Sequence, residues 1–128
     1  MNLQESRMDN FSLSLNHNQL FELYGDDKEY ATDMIQTFLD EVLPDFTIMN
    51  DAINQQDWAS LAQYIHKLKP TLPMMGLSDL EPQMQEIERK SKIEGNWDVL
   101  KQLSNSFQKK LALFIPLLEA ELKQLTQQ

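Results

Sequence analysis

From Ala31 to Ile53 the apolar residues Ala31, Ile35, Phe38, Val42, Phe46, Met49 and Ile53 fall three or four positions apart. That spacing returns each of them to one side of a helix, so it predicts a single long helix with one buried stripe, and Asp26 or Asp27 stands where a cap is needed. A second stripe, Trp58, Leu61, Ile65, Leu68, Leu72 and Met75, opens at an Asp57 cap and closes at Gly76. Ser78 and Glu81 have the spacing of a capping box for a third helix, with Leu80, Met84 and Ile87 facing inward. Asn96 starts a fourth, whose stripe of Leu100, Leu103, Phe107, Leu111, Phe114, Leu118, Leu122 and Leu125 is the longest. Ahead of these, "NHNQLFELYG" predicts a short extra helix ended by Gly25. Alternating β-branched runs are missing, so no strand is predicted.

Gly25, Gly76 and Gly95 are the only glycines, and each falls at a helix boundary. Short connections between long amphipathic helices force neighbours to run antiparallel. The predicted fold is therefore all-α, an up-down-up-down antiparallel four-helix bundle with a short extra N-terminal helix. Residues 1–15 are expected to form a flexible lead-in and residues 16–128 a single domain. Pro82 falls in a first helical turn, where proline costs little. Pro44 and Pro116 lie inside helical stretches and are predicted to bend them, each at about 3 kcal/mol offset by packing.

Composition narrows the chemistry. The 128 residues are 41% hydrophobic and 24% charged, as in an ordinary globular domain. The absence of cysteine excludes disulfides and cysteine zinc sites, and fits a reducing compartment. Neither a basic, apolar leader nor an apolar run long enough to span a bilayer stands out, so a cytoplasmic location is expected. A net charge of −9 repels a phosphate backbone, which argues against nucleic acid as a partner. Two histidines without a Glu-x-x-His pair argue against a di-metal bundle site, and no metal or cofactor is expected. No glycine-rich phosphate loop, cysteine nucleophile or triad pattern is present. Met34, Met49, Met75 and Met84 lie on or beside the apolar stripes and are expected in the core.

His66 is the histidine that the helical pattern singles out. At about 100° per residue it lies roughly 120° from the centre of its helix's apolar arc, so it faces solvent. Ala59, Ala62, Pro70 and Pro73 share that shoulder, and all are short or compact. Lys69, three residues on, is placed to bring its ammonium towards the imidazole. A neutral imidazole is a competent nucleophile for a phosphoryl group, and a nearby cation balances the charge that arrives with it. Positioning and electrostatics carry most of phosphoryl transfer, so a helix offering one histidine can leave the metal ion to its partner. His17, in the polar stretch "LNHNQ", is expected to be exposed or beside a cap.

The stretch "HKLKPTLPMMG" resembles the motif of histidine-containing phosphotransfer (HPt) domains. In that motif histidine is followed by any residue, leucine or isoleucine, lysine and glycine, with a further glycine ten residues after the histidine. His66, Leu68, Lys69 and Gly76 match it position by position, and the similarity extends over roughly Gln19 to Leu125. The resemblance implies a phosphorelay intermediate. His66 would accept a phosphoryl group from a receiver-domain aspartate and pass it to another receiver, while Lys69 stabilises the phosphohistidine. The implied partners are receiver domains of response regulators or hybrid sensor kinases, with magnesium only in the receiver. The chain would act as a monomeric phosphoryl carrier rather than a self-sufficient enzyme.

Two positions depart from the pattern. Pro70 stands where the family usually has glycine after the lysine, and it removes the helical donor from the carbonyl of His66; Pro73 is expected to do the same to Lys69. Glu88 occupies a place near the histidine where some family members carry glutamine, either orienting the imidazole or repelling the phosphoryl group, with Lys92 one turn on to compensate. These departures leave two alternatives open: a non-catalytic helical module that binds receivers without transfer, and a structural bundle in which His66 does nothing.

Overall fold

The computed structural model describes residues 13–93 and 95–127, which form helices and no strand. The helices are α1 (His17–Tyr24), α2 (Lys28–Thr37), α3 (Leu43–Asn54), α4 (Trp58–Leu68), α5 (Thr71–Met74), α6 (Glu81–Ser91) and α7 (Trp97–Thr126). A π-helical turn, Phe38–Val42, joins α2 to α3, and a 3₁₀ turn, Ser78–Leu80, leads into α6. Of the expected lead-in, residues 1–12 lie outside the described residues, and Leu15 is buried.

Around one core, α3 packs on α4, α4 on α6, α6 on α7, and α7 back on α3. The remaining helices attach to this ring, α2 on α7 and α1 on both α2 and α5. The predicted stripes supply the core: Ile35, Phe38, Phe46, Met49 and Ile53 from the first, Leu61, Ile65, Leu68 and Leu72 from the second, Leu100, Phe107, Leu111, Phe114 and Leu118 from the last. Met49, Met75 and Met84 are buried, and Met34 packs partly against them. The polar side chain of Ser104 is also buried, but its hydroxyl donates to Asn50 Oδ1 at 2.8 Å, so it carries no desolvation penalty unmet. Tryptophans at the starts of α4 and α7 meet with Trp58 and Trp97 ring centroids 3.9 Å apart.

Three expectations are corrected. The helix predicted from Ala31 to Ile53 is interrupted by the π turn, in which the Leu43 N–H reaches back to the Phe38 carbonyl, just before Pro44. Proline has no N–H for an i→i−4 bond, and the wider turn sets Pro44 in the first turn of α3, where that bond is not required. The capping box at Ser78 does not form: α6 starts at Glu81 without a side-chain cap, and the Ser78 hydroxyl accepts from Asn16 Nδ2 at 3.2 Å. The second helix is not continuous to Met75 but divides after Leu68. Asp27 is the residue that caps α2, accepting the Tyr30 N–H at 3.0 Å. Helix α7 runs through Pro116, whose i−4 residue, Ala112, is exposed, so water can satisfy its carbonyl.

Gly76 fastens α1 to the corner beyond α5. Its carbonyl accepts the Asn16 N–H at 2.8 Å, its φ is +67°, and a Cβ there would stand 3.0 Å from Leu20 Cγ and 3.1 Å from the Asn16 carbonyl oxygen. Gly95 has φ +84° but no atom within 4 Å of the same position. Gly76→Ala is expected to cost about 2–3 kcal/mol, combining left-handed strain with the clash, and Gly95→Ala about 1 kcal/mol from strain alone. Thermal unfolding checks this; equal losses from the two substitutions would show that the approach of α1 contributes nothing.

Candidate functional site

Helix α4 is positioned from both ends. At its start, Gln56 takes a left-handed turn (φ 55°), and the Asp57 N–H closes α3 on the Ala52 carbonyl at 2.9 Å. The Asp57 carboxylate then opens α4, accepting the Ser60 N–H at 3.1 Å and the Ser60 hydroxyl at 2.8 Å. The Ser60 hydroxyl, followed by its N–H, holds the Asp57 carboxyl below the usual aspartate value. One residue thus ends one helix and begins the next. The rotation of α4 follows from its buried side: Leu61 is 0%, Ile65 2% and Leu68 0% exposed. With Ile65 inside, its neighbour His66 lies on the exposed side, and no hydrogen bond or ion pair engages its ring among the described residues.

Just past His66 the helix ends for a definable reason. The Lys69 N–H donates to Ile65 at 3.0 Å, but Pro70 has no N–H for the His66 carbonyl, as the sequence predicts. The Thr71 hydroxyl takes the Leu68 carbonyl at 2.6 Å. Pro73 likewise gives the Lys69 carbonyl no helical donor, as expected, and the Leu72 N–H takes that carbonyl instead at 3.4 Å in a tighter turn. Beyond it, α5 is held by the Tyr24 hydroxyl, which donates to the Met74 carbonyl at 2.8 Å.

The predicted residues around His66 separate into two groups. Of the expected small-residue shoulder, Ala59, Ala62 and Pro70 are exposed and Pro73 is half-buried; Ala59 and Ala62 stand on α4 with His66, whereas Pro70 and Pro73 come after its end. It is not bounded by apolar groups alone: Ala62, Trp58, Ser91 and exposed Lys92 line an open groove of about 310 Å³ between α4 and α6. Lys69 and Glu88 form the second group, and their pairing is what sequence reasoning missed. Lys69 Nζ lies 2.8 Å from Glu88 Oε1, so the ammonium that was expected beside the imidazole is bonded across to α6. Glu88 makes no hydrogen bond to His66. No spacing rule relates residues 19 apart on different helices, so this contact had no sequence signal. His17, expected to be exposed or beside a cap and not part of the site, follows the Asn16 cap at the start of α1 and pairs with Glu121 on α7 at 2.9 Å.

The Lys69 hydrogen bond is the largest cause holding the Glu88 carboxyl below the ordinary glutamate value, against partial burial; the charges of Lys69, Lys92 and His66 lower it further. Because the folded value is the lower one, the pair adds stability above the unfolded carboxyl's titration and loses it as pH falls through the folded one. The side chains are 43% and 30% exposed, so this contribution is about 0.5 kcal/mol. Lys69→Ala is expected to raise the Glu88 titration seen by carbon-detected NMR towards that of free glutamate. An unchanged titration would mean that the pair does not persist in solution.

The chain matches the family model of the Hpt domain over residues 33–128, three quarters of its length, including α4, α6 and the residues around His66. No curated protein and no solved structure matches it. With the helical architecture and the extent of that match, the chain belongs to the Hpt domain family.

Proposed function

We propose that the chain is a phosphorelay intermediate in which His66 accepts a phosphoryl group from the aspartate of one receiver domain and passes it to another. The observation that carries this reading is an exposed, unengaged imidazole on a helix whose buried side is fully packed, in a chain of the Hpt family. The helices α2–α3, α4, α6 and α7 are read as the alternating up-and-down members of the bundle, with α1 as the added N-terminal helix. Lys69 balances the phosphoryl charge, and Glu88 and Lys92 surround it. Ala59, Ala62, Pro70 and Pro73 admit the receiver, whose own magnesium serves the chemistry. The protein acts as a monomer in the cytoplasm; no helix among the described residues is long and apolar enough to cross a membrane. The Lys69–Glu88 pair favours a second reading, a module that binds receivers without transfer.

Incubation with a phosphorylated receiver domain separates the two. Transfer should give an acid-labile, base-stable label that His66→Gln abolishes while helical content is retained. Binding without label supports the second reading, and labelling of His66→Gln overturns the first.

Two further variants test the surroundings. Lys69→Ala is expected to slow transfer by about tenfold, equivalent to ~1.4 kcal/mol of lost charge balance, and to shorten phosphohistidine lifetime without unfolding the bundle. Unchanged kinetics would reduce Lys69 to a solvated side chain. Ala62→Arg adds bulk one turn before His66 and enters no buried position. It is expected to weaken receiver binding and transfer together, with thermal stability within about 0.5 kcal/mol of the parent. Normal transfer by this variant would show that the receiver does not approach over this shoulder.

A further inference from the structure

Both lysines that follow His66 within a turn are already engaged. Lys67 is held 2.8 Å from Asp45 on the α3 side. Lys69 is held 2.8 Å from Glu88 on the α6 side. Lys92 is exposed across the groove from Ala62, and together with Lys69 it is among the charges acting on Glu88. An acidic side chain therefore lies within the small group of charges around the imidazole, and it is bonded to the lysine that the phosphoryl group needs.

We propose that Glu88 is a positioning residue that competes with the phosphoryl group for Lys69, and so makes the phosphohistidine at His66 short-lived and ready to discharge. The inference rests on His66 being the phosphoryl acceptor. In the loading step a lone pair on the neutral imidazole forms the N–P bond as the receiver's aspartyl O–P bond breaks, and that bonding pair leaves with the aspartate carboxylate. The transferred phosphoryl group bears two negative oxygens against the positive imidazolium ring it forms, and solvent then removes the ring's other N–H proton, leaving a neutral ring with a doubly negative phosphoryl group. Before loading, Lys69 balances Glu88 alone. After loading, Lys69 either stays with Glu88 and leaves the phosphoryl group without its cation, or moves to the phosphoryl group and leaves the carboxylate without its ion pair, with only the charge of Lys92 to offset the added negative charge. Both arrangements are costlier than one with an uncharged residue at position 88. The unloaded state gains from the ion pair and the loaded state loses it, so the carboxylate shifts the transfer equilibrium away from this chain. Position and reach limit the effect, because both side chains are partly exposed and screened by water.

Phosphoramidate, a small-molecule donor that loads histidine without a protein partner, isolates the step. The intact chain and the variants Glu88→Gln, Glu88→Asp, Lys69→Ala and the double variant Lys69→Ala/Glu88→Gln are loaded, and phosphohistidine decay is followed by ³¹P NMR. The division of label at equilibrium with a receiver domain is then measured. Glu88→Gln is expected to lengthen the lifetime by roughly three- to tenfold and to shift the equilibrium towards phosphohistidine by a similar factor. Glu88→Asp, which keeps the charge, should stay near the parent. In the Lys69→Ala background the effect of Glu88→Gln should fall below about twofold, because there is no ammonium left to release. An unchanged or shorter lifetime in Glu88→Gln, or the full effect without Lys69, overturns the role assigned to Glu88. Absence of a label at His66 in the parent chain overturns instead the reading on which it rests, and this inference with it.

Discussion

The burial of Leu61, Ile65, Leu68 and Leu72 is the constraint on which the rest of the site depends. These four side chains are 2% exposed or less; Leu61, Ile65 and Leu68 leave α4 only one rotation about its axis, and Leu72 anchors α5 just beyond it. A slip of one residue would move Ile65 into water and His66 into the core, exchanging an apolar burial of about 2 kcal/mol for an unpaired imidazole. The exposed imidazole is thus a consequence of packing on the opposite side of the helix. Asp57 sets where that helix begins, Pro70 where its regular hydrogen bonding stops, and His66 lies in the last full turn between them.

The prolines beyond His66 are tolerated because other groups take up what they leave behind. The Thr71 hydroxyl occupies the Leu68 carbonyl, the Leu72 N–H turns back to Lys69, and His66 itself is exposed, so water can satisfy its carbonyl. Helix α1 then closes the corner, through Tyr24 to Met74 and Asn16 to Gly76. That helix, far from the imidazole in sequence, contributes to the site by holding the chain that follows it. The same ends-on logic gives Lys69 its direction: placed at the C-cap of α4 rather than in mid-helix, its side chain reaches α6 and Glu88.

Most of the helices were legible because burial repeats every three or four residues, and so was the solvent-facing placement of His66, which needs only the helical angle. What periodicity does not encode is how carbonyls are satisfied at interruptions. The π turn before Pro44 keeps Phe38 and Phe46 both inside, so the apolar spacing reads as one unbroken helix. The Ser78–Glu81 spacing fits a capping box, but Asn16, sixty-two residues earlier in the chain, supplies the serine's partner. The pairing of Lys69 with Glu88 is of the same kind: either residue alone looks like a neighbour of the imidazole, and only the packing of α4 on α6 joins them. Local rules see turns and stripes; contacts between helices are decided by the assembled core.

Peptide mapping after incubation with a phosphorylated receiver domain tests most directly whether the packing of α4 presents a phosphoryl acceptor. One phosphoryl group should appear on the fragment carrying His66, in step with its loss from the receiver. A phosphoryl group on the fragment carrying His17, or none on this chain while the receiver is bound, would contradict that assignment.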